Sequence, residues 1–93
     1  MVMRRTFGKV LSTPILEMAD DKQIDTLIFI EENNVAAQKT RAAALMFIGR
    51  KGLELTTSVK GNQIWIMKDK DYPGNRIIVD LPRIRRERYD KGA

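Results

Sequence analysis

The chain contains no cysteine and no histidine. Without cysteine there is no disulfide framework and no thiolate metal site, which suits a reducing compartment, so the cytoplasm is the expected location. Without either residue, the usual general base at neutral pH, the usual nucleophile pairs and the usual transition-metal ligands are gone. Long apolar runs are missing as well. None approaches the roughly 20 residues needed to cross a bilayer, and Met1 to Leu16 lacks the apolar stretch and small-residue cleavage site of a secretory signal. A soluble protein with no membrane partner is expected. No glycine-rich phosphate cradle is present either: Gly49-Arg50-Lys51-Gly52 sets its cations at a helix C-terminus, the wrong end of the helix dipole for an anion. Carboxylates are what remain for catalysis. Asp20, Asp21, Asp25, Glu31 and Glu32 are hard ligands of the type that suits Mg²⁺, but their setting in a turn and before a helix reads as surface charge matched to a dipole. No enzyme activity, cofactor or metal is expected.

What is present is one domain's worth of chain. Ninety-three residues with 43% hydrophobic side chains bury only about 60–65% of the unfolded surface, so a partner surface is valuable and a homodimer is expected. The net charge of +5 is unevenly spread. Residues 17–32 hold six acids against Lys22 alone, whereas residues 33–93 hold 13 of the 17 cations and six acids, a balance of +7. Cations are densest at the end, in Arg83, Arg85, Arg86, Arg88 and Lys91. Such a surface attracts polyanions, nucleic acid first among them; ordinary solubility accounts for the same charge.

The N-terminal MRRTFGKVL suits an edge strand or an ordered arm. Ser12-Thr13-Pro14 before ILEMADD has a hydroxyl cap, a first-turn proline and an early acid, which predict a short helix over 13–21. Ile24–Ile30 is rich in β-branched residues and predicts a central strand covered on both faces. Asn33-Asn34 makes an N-cap, and Gly52 after Arg50-Lys51 makes a C-terminal stop, so a helix is predicted over 34–50. At 100° per residue, Val35, Ala42, Leu45 and Met46 fall on one flank, and Ala36, Ala37, Ala43, Ala44, Phe47 and Ile48 on the other. A helix apolar on both flanks is expected to be sandwiched. One flank should cover the sheet, and Val35, Ala42, Leu45 and Met46 should meet the N-terminal helix or the same helix of a second subunit.

LELTTSV and QIWIMKD around Gly61-Asn62 predict a hairpin, with strands at 53–59 and 63–69. A two-residue loop puts Leu53, Leu55, Thr57 and Val59 on the core face with Ile64, Ile66 and Lys68. The opposite face then carries Glu54, Thr56, Ser58, Lys60, Gln63, Trp65 and Met67. Asp71-Tyr72-Pro73-Gly74-Asn75 reads as a turn, and RIIVDLP as a strand over 76–81 with Ile77, Val79 and Leu81 inward, ended by Pro82. The expected architecture is α+β: an antiparallel sheet of about four strands with the long helix on one face, a domain over 1–82, and a basic tail over 83–93 that is exposed or forms a frayed turn.

The outer hairpin face is the most suggestive constellation. Trp65 among hydroxyls, an amide and Lys60 at the tip is what a sheet reader of nucleic acid needs. Alternatively Trp65 and Met67 are covered by another element. Arg83, Arg85, Arg86 and Arg88 suit phosphate forks. The portion TRAAALMFIGRKGLELTTSVKGNQIWIMK loosely resembles small basic bacteriophage-encoded accessory proteins, in which an Arg/Ala-rich helix leads into a hairpin carrying a tryptophan. The resemblance covers about a third of the chain and transfers no site residues. It implies an accessory DNA-binding or host-interaction protein, working in the host-cell cytoplasm.

The function expected from these readings is a non-enzymatic DNA- or RNA-binding regulator, with DNA first. Its contacts would be Arg83, Arg85, Arg86, Arg88, Arg50, Lys51, Lys60 and Trp65. If about six phosphates are neutralised, raising salt from 50 to 200 mM weakens binding roughly a thousandfold. The rival expectation is a module that docks on a host protein through the acidic segment or the hairpin face.

Overall fold

The computed structural model describes the backbone of residues 2–68 and 75–92, and the side chains of 10–68 and 75–87. Helix α1 runs Val2–Asp20 and strand β1 Ile24–Ile30, followed by α2 Asn34–Lys51. Strands β2 Leu55–Lys60, β3 Gln63–Lys68 and β4 Asn75–Asp80 follow, and α3 Leu81–Gly92 closes the fold. The fold class is α+β, with the sheet in the order β2-β3-β1-β4. β1 and β2 both run antiparallel to β3, which lies between them, so β1, α2 and β2 form a crossover unit with the helix on one face.

The sheet is mixed, which corrects the antiparallel expectation. Both edges of β3 are taken, by β2 and by β1, so β4 pairs on the far side of β1, and it does so in parallel register, Ile28 opposite Ile78 and Phe29 opposite Val79. The link between β3 and β4, where a turn was expected at 71–75, lies outside the described residues except for Asn75, the first residue of β4.

The N-terminal segment is helix, not an edge strand or arm, and the helix is continuous through Pro14. Leu11, Ile15 and Met18, spaced four and three apart, are all buried in the core. An interior proline costs about 3 kcal/mol, and burying three such side chains returns roughly 1.5–3 kcal/mol each. Packing wins over the local breaker.

α2 has the expected ends. Asn33 accepts a hydrogen bond from the Ala36 amide at 2.9 Å, and Gly52 closes the helix at φ +64°, a conformation that favours glycine. Its burial differs from expectation. Ala37, Thr40, Ala44 and Ile48 face the sheet, but Val35 is 66%, Met46 61% and Leu45 40% exposed. α1 packs mainly on β1 and leaves that outer flank open. Among the described residues the helix is therefore covered on one side only, so of the two expected partners for Val35, Ala42, Leu45 and Met46 the N-terminal helix is not the one that meets them.

The hairpin has the anticipated register. Val59 faces Ile64, Thr57 faces Ile66 and Ser58 faces Trp65. Gly61 has φ +62° and Asn62 does not have a positive φ, the pattern of a type II′ turn, in which only the first central residue needs that conformation. Leu27 and Phe29 of β1 join Ile64 and Ile66 of β3 in one core under α1 and α2. The C-terminal segment is also corrected. It is a 12-residue helix rather than an exposed tail or frayed turn, with Leu81 in the core and the Asp80 carboxylate accepting a hydrogen bond from the Arg83 amide at 3.1 Å.

Candidate nucleic-acid interface

Alternation along the strands leaves the second face of the sheet without a covering element among the described residues. It carries Thr26, Ile28 and Ile30 from β1, Gln63, Trp65 and Met67 from β3, and Arg76 and Ile78 from β4. Ile28 is buried between its neighbours on the two adjacent strands, Trp65 and Ile78, although it lies outside the main core. Ile78 is 62% exposed. Trp65 is half-buried, and its indole N–H donates to Gln63 Oε1 at 3.1 Å, which fixes the ring.

Two cations lie over that ring. Lys60 Nζ is 4.4 Å from its centroid and Arg76 Cζ 5.5 Å. A cation–π contact at an exposed site is worth about 0.5–1 kcal/mol, and a base stacked on an aromatic about 1–3 kcal/mol. Each cation contact is therefore weak enough for a competing group to displace its cation from the ring. The tip that carries Lys60 is held in place. The Asn34 side-chain amide donates to the Gly61 carbonyl at 2.7 Å, the Glu31 amide donates to the Asn62 carbonyl at 2.8 Å, and the Asn62 side chain donates back to the Glu31 carbonyl at 2.8 Å.

A second charged cluster lies at the same end of the sheet, on the helix side. Glu31, directly after β1, is only 2% exposed. Arg85 of α3 grips it with two parallel hydrogen bonds, Nη1 to Oε1 and Nη2 to Oε2, each 2.9 Å, and the Thr40 hydroxyl donates to Oε2. Burial pushes the Glu31 carboxyl up, but the Arg85 and Thr40 hydrogen bonds and the Arg85 charge outweigh it and hold it below the ordinary value. The Glu31 hydrogen bond in turn raises Arg85 against its own desolvation. This pair docks α3 on the domain, and a shallow cleft of about 280 Å³ between it, Ala36 and Lys39 opens to solvent.

The expected contacts therefore do not form one patch. Lys60 and Trp65 share the open face. Arg85 is committed to Glu31, and Arg83 forms an exposed pair with Glu87 at 3.1 Å. Arg86 is exposed on α3, and the side chain of Arg88 lies outside the described residues. Arg50 and Lys51 end α2, about 27 Å of helix from the end that meets the hairpin tip. Arg76 was not anticipated as a contact; its signal was the outward complement of the inward pair Ile77 and Val79. Of the acidic segment, Glu31 is internal, whereas Asp21 stays exposed and accepts from the Gln23 amide at 2.9 Å in the turn before β1. No described helix is long and apolar enough to cross a membrane. A scan against family models, a search of curated proteins and a search of solved structures found no match to this chain.

Proposed function

We propose that this protein is a small non-enzymatic nucleic-acid-binding regulator that holds its ligand on the open face of the sheet. The observation that carries this reading is Trp65, half-buried on a face that no other element covers among the described residues, with Lys60 and Arg76 both over its ring. An aromatic platform flanked by cations answers the two features every nucleic acid offers, a flat base and an anionic backbone. The arginines of α3 add long-range attraction through exposed Arg86 rather than a shared phosphate fork. The resemblance to phage accessory proteins fits such a role in a host cytoplasm.

With two or three phosphates neutralised on the face instead of six, raising salt from 50 to 200 mM weakens binding roughly ten- to fortyfold. A fluorescence-anisotropy titration of a labelled oligonucleotide at several salt concentrations tests this. A flat salt dependence, or no binding at low salt, removes the reading.

A second reading is supported by the outer flank of α2. Val35, Leu45 and Met46, exposed along one helix, suit a protein partner, either a host protein or another copy of the chain. Under that reading Met46→Glu abolishes the association and Arg76→Glu leaves it intact. Sedimentation of the wild type over a range of concentrations separates self-pairing from a foreign partner.

A further inference from the structure

From the shape of this face we infer that its ligand is single-stranded DNA, an inference that rests on the nucleic-acid reading above. A duplex presents its base edges at the bottom of a major groove about 12 Å wide, which admits a helix or a two-stranded ribbon. Trp65 is on neither kind of element. It stands on β3, an interior strand flanked by β1 and β2, and four strands at about 4.8 Å spacing span roughly 14 Å between outer axes before any side chain is added. The sheet does not enter the groove, and an indole that lies centrally on it does not reach a base edge inside a stacked duplex. Only an unpaired base, turned out from its neighbours, can lie on that ring.

The surroundings of the ring select the sugar. The neighbour of Trp65 on β1 is Ile28, and beyond it on β4 is Ile78. A sugar laid towards β4 rests on aliphatic side chains. Ile28 and Ile78 offer a ribose 2′-hydroxyl no hydrogen-bond partner, and a deoxyribose brings none that needs one. A sugar laid the other way would meet the Ser58 hydroxyl on β2. Lys60 from β2 and Arg76 from β4 stand on opposite sides of β3 and β1, so a strand crossing the ring passes a cation before and after the stacked base. The carboxylate on this face within the described strands is Asp80, which is engaged in capping α3.

The chain has a single tryptophan, so its fluorescence reports on this site alone. The wild-type protein is titrated at low salt with one short sequence as single-stranded DNA, as single-stranded RNA and as duplex DNA, following both anisotropy of the labelled strand and quenching of Trp65. Single-stranded DNA is expected to bind tightest and to quench the indole, as stacking requires. Arg76→Glu, at an exposed position, is expected to weaken it about tenfold or more, and Trp65→Ala roughly tenfold to a hundredfold, with circular dichroism confirming that each variant is folded. If Trp65→Ala fails to fold, Arg76→Glu and the quenching carry the test. Duplex bound as tightly as single strand, or without quenching, overturns this inference and leaves nucleic-acid binding standing. RNA bound more tightly than DNA overturns the choice of sugar. No binding by any of the three defeats the broader reading.

Discussion

Arg85 and Arg76 carry the same guanidinium into two different settings. Arg85 meets a carboxylate that is almost fully buried, and its hydrogen bonds are spent on joining α3 to the end of β1. Arg76 meets the face of an indole on the side of the sheet that nothing described covers. The first cation is locked because breaking the pair strands a charge away from water; the second is held by a contact weak enough for a ligand to replace. Cation density along the sequence does not distinguish them. It is highest around Arg85, and the cation over the indole sits in an unremarkable strand.

If this contrast is right, the largest effect belongs to Arg85. Replacing it with alanine should destabilise the fold by about 2–3 kcal/mol, below the 3–5 kcal/mol typical of a fully buried pair because the arginine is partly solvated. Arg76→Ala should move stability by less than about 0.5 kcal/mol. Urea unfolding of the two variants side by side decides the matter, and equal losses would erase the distinction.

Acid should act on the first site and not the second. The folded Glu31 carboxyl lies below its ordinary value of 4.5, so its contribution is complete above that value and is lost as pH falls through the folded one. The stability difference between wild type and Glu31→Gln should therefore be widest at neutral pH and shrink below about pH 4. A difference that grows on acidification would mean that the carboxyl is held up, not down.

Thr40→Val, which removes one donor to the same carboxylate, should cost about 1–2 kcal/mol in thermal or urea unfolding. The smallest effect is expected on the open flank of α2. Met46→Gln should change stability by no more than about 0.5 kcal/mol and show no dependence on protein concentration. A larger, concentration-dependent loss would reveal a second copy seated there.

The parts legible in the sequence were those whose signals are local. Asn33 and Gly52 mark both ends of α2, and Gly61-Asn62 with the parity of Ile64 and Ile66 sets the hairpin register and so puts Trp65 and Lys60 on one face. Proline misled twice, for one reason: it fixes φ and removes an N–H but does not say on which side the helix lies. Ser12-Thr13-Pro14 read as a helix start, whereas the spacing of Leu11, Ile15 and Met18 carries the helix straight through. Pro82 read as a strand end, whereas Asp80 before it is the cap of α3, a pattern close to the one trusted at Pro14.

The remainder is long-range. Nothing local tells β4 to choose the far edge of β1, and the partners Glu31 and Arg85 are 54 positions apart. The helix wheel of α2 shows two apolar flanks but not which of them the chain itself will cover. Arg76 was readable in principle, as the outward neighbour of Ile77.

The face around Trp65 is tested most directly by mapping amide and indole resonances while single-stranded DNA is added to isotopically labelled protein. Shifts should concentrate on Thr26, Ile28, Ser58, Lys60, Trp65 and Arg76. Shifts confined to the outer side of α2, at Val35, Leu45 and Met46, or to α3 alone with the Trp65 indole unmoved, would contradict the account.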